Sequence, residues 1–246
     1  MENIRIEYRL KFTDNKQEII QLDFDANNFE LVSNYPSNPP DWTNLDFHQC
    51  PHCPLSVNTH PGCPLTLHLV NLVNLFDSIS SYDKIYVEVI TEERCVSQNT
   101  TAQRCVSSLM GLIIASSGCP HTAFLRPMAR FHLPFASEEE TIYRVTSMYL
   151  LAQYFRHKNG IKSDFELCGL EQIYDNLQVT NKAIAERLKI ASRNDASINA
   201  IIILDMFAKA IPSVIDESLE EIRYLFIPYL TNHGNQKNAG DSEREQ

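Results

Sequence analysis

Apolar and polar residues alternate with period two from the start of the chain. Ile4, Ile6, Tyr8, Leu10 and Phe12 are separated by Arg5, Glu7, Arg9 and Lys11, which predicts a half-buried strand. Asp14-Asn15-Lys16 is a turn signal. Ile20, Leu22 and Phe24 then alternate with Gln21, Asp23 and Asp25, so a β-hairpin is expected, with Phe29 to Val32 as a third strand. Helical spacing begins at Leu65, Leu69, Leu72, Val73 and Phe76 and predicts a helix over 64–78. Ile85, Val87 and Val89 predict a strand over 84–91, and a helix over 101–116 ends at a Ser-Gly C-cap. Ser137 with Glu140 is a capping-box pair. It opens a helix through Ile142, Val145, Tyr149, Ala152 and Phe155 that stops at Asn159-Gly160. Further helices are expected over 168–190, 195–210 and 213–226.

The pattern defines an α+β protein. An N-terminal β-hairpin or small antiparallel sheet carries a Cys-rich loop, and a mostly helical half follows. The expected organisation is a β-rich part over 1–92 with the loop at 47–65, and a helical part over 93–231 packed with it as one unit. A polar tail over 232–246 has the composition of a disordered segment. No internal repeat is present, and strands and helices do not alternate as a doubly wound sheet requires.

The loop FHQCPHCPLSVNTHPGCPL, residues 47–65, changes the picture. A long irregular segment inside a compact domain needs something to organise it. Cys50 and Cys53 are spaced C-x2-C, which lets two sulfurs face one ion. Cys63 follows, and Cys119 lies further on. All four precede proline, at Pro51, Pro54, Pro64 and Pro120, whereas Cys95, Cys105 and Cys168 do not. Proline fixes φ and stiffens the turn around a ligand. Pro64 also suits the first helical position, which puts Cys63 at an N-cap, where backbone amides favour a thiolate. Cys50, Cys53, Cys63 and Cys119 are therefore the candidate metal ligands, and the site would pin the loop to the end of the 101–116 helix. Four thiolates suit zinc or an iron–sulfur cluster. His48, His52, His60 and His121 crowd the same stretch, and His52 and His121 are the candidate substitutes for a cysteine in a Cys3His zinc site.

Charge narrows the function classes. The chain of 246 residues carries a formal net charge of −10, and phosphate backbones need clustered Lys and Arg, so no nucleic-acid partner is expected. The N-terminus lacks the basic and apolar regions of a signal peptide, and no apolar run reaches the ~20 residues of a spanning helix. A cytoplasmic protein without a membrane partner is the expectation, and reduced thiols fit that compartment. Against the acidic background, residues 94–137 contain Arg94, Arg104, Arg126 and Arg130 and no Asp, Glu or Lys. Arg126, Arg130 and His132 are candidates for binding an anionic group; the competing expectation is that they pair internally or neutralise the thiolates. Arg144 follows Glu140 by four residues, an ordinary helical ion pair.

Motifs for nucleophile elbows, P-loops, dinucleotide binding and zinc proteases are absent, and seven glycines leave little material for a phosphate cradle. The segments CPHCPL (50–55), SLMGLIIASSGCP (108–120) and RPMARFHLPF (126–135) resemble an uncharacterised bacterial protein family of unknown function. The likeness covers Phe47 to about Tyr149, and it implies a bacterial, cytosolic origin without supplying an activity. The function expected from the sequence is a four-cysteine metal-binding protein with a structural or regulatory site, acting through a protein partner or as a homo-oligomer. The alternative is an iron–sulfur or zinc enzyme acting on an anionic small molecule, and a third reading is a metal-free helical interaction module.

Overall fold

The alternation at the N-terminus forms β1 (Asn3–Phe12) and β2 (Gln17–Asp25), joined by a turn in which Asn15 has φ 67°. The computed structural model describes residues 3–32 and 35–231, with the side chains of 211–218 outside that description. The tail expected over 232–246 also lies outside the described residues. β1 pairs antiparallel with β2 on one side and with β3 (Lys84–Ile90) on the other, and β4 (Cys95–Thr101) completes a four-stranded antiparallel sheet of order β2-β1-β3-β4. Ile6, Tyr8 and Leu10 on β1, Leu22 and Phe24 on β2, and Ile85, Val87 and Val89 on β3 are all buried. Their period-two spacing places them on one face.

Two expectations in this part change. Residues Phe29 to Val32 do not form a strand; they make a single bridge, Leu31 to Phe24. Asp25 Oδ1 accepts the Asn27 amide at 2.7 Å, and Phe29 turns to φ 56°, so the chain bends before it can extend. β4 carries the sequence CVSQNTT and no apolar alternation, and it joins the sheet through its backbone at the edge.

The apolar face of the sheet is covered by α1 (Pro64–Phe76) and α2 (Ala102–Ser116). Leu69, Val73 and Phe76 from α1 and Cys105, Leu109 and Met110 from α2 are buried in this core. The same cluster continues into α5 (Cys168–Ala191) through Ile184 and Leu188, and into α6 (Ala196–Ile222) through Ala196, Ala200 and Ile201. The strands and the helical half thus share one core, and β4 lies on the far side of position 92 while belonging to the sheet.

Between α2 and α5 the chain makes the short α3 (Arg126–Arg130) and the long α4 (Glu138–Lys158). α4 opens on the full capping box: Glu140 N donates to Ser137 Oγ at 3.1 Å, and Ser137 N donates to Glu140 Oε2 at 2.7 Å. α4, α5 and α6 pack through a second cluster of Ile142, Val145, Leu170, Tyr174, Leu177 and Ala208. α6 is one helix of 27 residues rather than the two expected, and its backbone continues through Pro212. A proline removes one N–H and crowds the preceding turn; here that local penalty is outweighed along a helix that packs on α2, α4 and α5. α7 (Ile227–Thr231) ends the described chain.

Candidate metal centre

The Cys-rich loop is closed at its base like a purse. Leu45 N donates to Pro61 O at 2.9 Å, Cys63 N donates to Thr43 O at 2.8 Å, and Asn44 bridges Gly62. A Cβ at Gly62 would meet Leu67 Cδ1 at 2.7 Å, so the glycine lets the Leu67 side chain lie close against the loop base. Inside the loop, Cys53 N donates to Cys50 O at 2.9 Å and bends the C-x2-C segment back on itself. Cys63 occupies the N-cap of α1, with Pro64 in the first turn. Across from the loop, Gly118 takes φ 82° and releases the chain from α2 just before Cys119.

Imidazoles dock the loop against the rest of the molecule. The rings of His52 and His121 stack with centroids 3.8 Å apart and planes 10° from parallel. His121 Nε2 lies 2.9 Å from the carbonyl oxygen of His52, and His52 Nε2 lies 3.1 Å from that of Asn176 on α5. A carbonyl only accepts, so each Nε2 carries the proton. His52 Nδ1 is then a buried acceptor without a partner among the described residues.

The four Cys-Pro thiols are half-buried and share one electrostatic neighbourhood. Burial pushes the Cys50 thiol up to about 12, and Cys63, Cys119 and Cys53 each add to the rise while Arg187 opposes it. Burial also raises Cys119, with Cys63 contributing; the amides of His121 and Thr122 and the Thr122 hydroxyl oppose the shift. Cys105 is raised by burial alone, and Cys95 and Cys168 are exposed. All seven cysteines are free thiols. Among the described residues, no group of three or more His, Cys, Asp or Glu side chains is arranged so that it could hold a metal ion.

A buried cation completes the neighbourhood. Arg187 on α5 is 2% exposed. Its Nη1 donates to Asn44 O at 2.8 Å and Trp42 O at 3.0 Å, and its Nη2 donates to Leu45 O at 3.1 Å. Among the described residues no carboxylate forms an ion pair with it. Burial lowers its pKa, and Cys63, Cys50, Cys53 and Asp46, in that order, act to restore it. Sequence reading missed Arg187, because a charged residue on an amphipathic helix reads as solvent-facing.

The arginine-rich stretch lies elsewhere. Arg126 donates to Glu30 at 2.5 Å, and Arg130 lies 3.9 Å from Glu93. His132 Nε2 is 2.6 Å from the hydroxyl of Tyr8, which also meets Ser108 Oγ at 2.8 Å. Arg144 does not form the expected bond to Glu140, whose carboxylate caps α4. Its Nη2 donates instead to the carbonyl oxygens of Met128 and Phe131, both at 2.9 Å.

The fold and this neighbourhood define an α+β protein in which an antiparallel sheet and a helical layer share a core, with a thiol-rich loop docked on the helices. A family model described as a domain of unknown function, DUF6901, matches residues 6–227, and the chain belongs to that family. No curated protein and no solved structure matches it. Among the described residues, no helix is long and apolar enough to cross a membrane.

Proposed function

We propose that the protein is a metal–thiolate protein in which Cys50, Cys53, Cys63 and Cys119 hold one zinc ion that clamps the 47–63 loop onto α2 and α5. The observation that carries this reading is the gathering of Cys53, Cys63 and Cys119 around Cys50, beside a buried guanidinium that forms no ion pair with a carboxylate among the described residues. An uncompensated buried charge is costly, and thiolates bound to a metal are the anions at hand. With four neutral thiols, Asp46 alone among the groups acting on Arg187 would carry a charge to oppose it. His52 Nδ1, buried without a partner, is an available substitute donor.

The role proposed is structural or regulatory. Ligands come from the loop, from the N-cap of α1 and from the turn after α2, so the ion ties together three chain segments rather than closing a short finger. Reduced thiols suit a cytoplasmic, bacterial setting. The protein would act through contacts with a protein partner or with its own copies. Exposed apolar side chains support that: Tyr224, Leu225, Ile227, Tyr229 and Leu230 near the end of the described chain, and Leu151 and Phe155 on α4.

The test is metal analysis of protein purified without oxygen. Colourless protein with one zinc per chain that survives dialysis is expected. A brown protein containing iron and sulfide would move the reading to an iron–sulfur cluster on the same ligands. Protein free of bound metal would overturn it.

A further inference from the structure

A cavity of about 500 Å³ lies between α2, α3, α4, α5 and α6, a volume in the range of small-molecule sites. Leu112, Ile114, Leu177, Leu204, Phe207 and Ala208 give it an apolar wall. Polar side chains interrupt that wall. Tyr174 is 5% exposed, Asn181 is 6% exposed and Ser107 is 7% exposed, and all three line the cavity. Among the described residues their side chains have no hydrogen-bond partner. None of the three is among the fully buried polar atoms left without a partner, so their polar atoms are open to the cavity.

One end of the cavity is cationic. Arg144 lines it and lies close enough to Tyr174 and His132 to act on both electrostatically. Among the described residues only Nη2 of its guanidinium is engaged, by the carbonyls of Met128 and Phe131. No carboxylate among the described residues forms an ion pair with it. His132 is held neutral by burial, with its Nε2 tied to Tyr8. Asn181 sits seven residues beyond Tyr174 on α5. Two helical turns carry it ~10 Å along the axis on the same face.

We infer that this cavity binds a small monocarboxylate with an apolar body, its carboxylate on Arg144 and the Tyr174 hydroxyl and a neutral polar group near Asn181. The carboxylate gives Arg144 the direct ion pair that Glu140, acting on it from a distance, does not form, through a charge-assisted hydrogen bond. The apolar body replaces water against the leucine and phenylalanine wall. Arg104 also lines the cavity but is exposed, so Arg144 is the half-buried cation of the site. The site is separate from the thiols and does not depend on the metal reading. Of the three residues expected from the sequence to bind an anion, only His132 lines it; Arg126 and Arg130 do not.

Calorimetric titration of the purified full chain with decanoate, 10-hydroxydecanoate and decanol tests the inference. Both acids should bind at one site per chain, and decanol about tenfold or more weaker, the factor expected for one lost charge-assisted bond. Arg144→Gln should bring the acids down to the level of decanol. Asn181→Leu should weaken 10-hydroxydecanoate and spare decanoate. Gly111→Leu places bulk in the cavity from a helical position where a Cβ meets only Leu204 at 3.7 Å; it should abolish binding of all three while circular dichroism shows an intact fold. Absence of binding by both acids, or decanol binding as tightly as decanoate, would overturn the assignment.

Discussion

Asn44 and Arg187 are 143 residues apart in the chain, yet the guanidinium donates to the Asn44 carbonyl at 2.8 Å. The same side chain holds the carbonyls of Trp42 and Leu45, so one residue of α5 fixes the base of the Cys-rich loop. Replacing it with methionine keeps the stem and removes the donors, which leaves three carbonyls to find other partners. Unmade buried hydrogen bonds cost ~1–3 kcal/mol each. Arg187→Met is therefore expected to destabilise the protein by about 3 kcal/mol or more in urea denaturation, and to expose the 47–62 segment to limited proteolysis. Arg187→Lys should recover little, because one ammonium cannot reproduce a fork that spans carbonyls with two nitrogens. Wild-type stability in the methionine variant would show that the loop base closes without the guanidinium.

The seven cysteines divide by position, and the division is testable. Cys63 sits at an N-cap beside the loop base, whereas Cys168 is exposed at the start of α5. Where metal-binding energy is also folding energy, loss of a ligand lowers both. Cys63→Ser should reduce metal content and melting temperature together, and Cys168→Ser should change neither. The opposite pattern, measured by elemental analysis and calorimetry on the same samples, would reassign the ligands.

Acid should weaken the fold through buried histidines, His68 and His132 above all and His52 in the same direction, before it reaches the carboxylates. Burial lowers His68 to about 4 and His132 to about 3, with Arg144 contributing at His132. An unfolded histidine takes up its proton near pH ~6.5. Below that value the unfolded chain binds protons that the native chain refuses, so stability is full above ~6.5 and falls as pH drops toward the folded values. Each histidine contributes a slope of at most ~1.4 kcal/mol per pH unit. Asp25, Asp164 and Asp195, held low chiefly by hydrogen bonds, add their own loss only under pH ~4. Urea denaturation between pH 7 and 4.5 should show the decline, and His132→Gln should flatten it. An unchanged slope in that variant would mean that His132 is already protonated in the native state.

Periodicity carried the sequence reading furthest where one face of an element is buried. β1, β2, α2 and α4 follow from alternation, helical spacing and the Ser137–Glu140 box. β4 was illegible because Ser97, Gln98 and Asn99 bury little, and an edge strand is held by backbone bonds that leave no mark on residue type. The break expected between 210 and 213 coincides with Pro212, and packing along α6 overrode it. The C-x2-C and Cys-Pro spacing drew attention to four half-buried thiols, which among the described residues are not arranged to hold a metal ion, and it pointed to neither Arg187 nor Arg144. Both are charges on amphipathic helices, and burial of such a charge is decided by carbonyls that the fold delivers from distant segments. The cavity was hidden for the same reason: Tyr174, Asn181 and Ser107 read as ordinary helix residues until five helices close around them.

Gly169 sets a tight contact at the start of α5. A Cβ at this position would collide with the hydroxyl of Tyr149 and come within 3.3 Å of Asp164 Oδ2. That carboxylate oxygen already accepts from the Tyr149 hydroxyl at 2.7 Å and from the Gly169 amide at 2.8 Å. Alanine has the higher helix propensity, so propensity alone predicts a gain from Gly169→Ala. Steric overlap in a packed site costs ~1–3 kcal/mol, which exceeds that gain, and a net loss of stability is expected. Tyr149→Phe removes the colliding oxygen together with its hydrogen bond to Asp164. The double variant should therefore lose less stability than the two single variants summed, as coupled neighbours do. Denaturation midpoints for the four proteins of this cycle give the coupling directly, and strict additivity would show that Tyr149 moves aside freely.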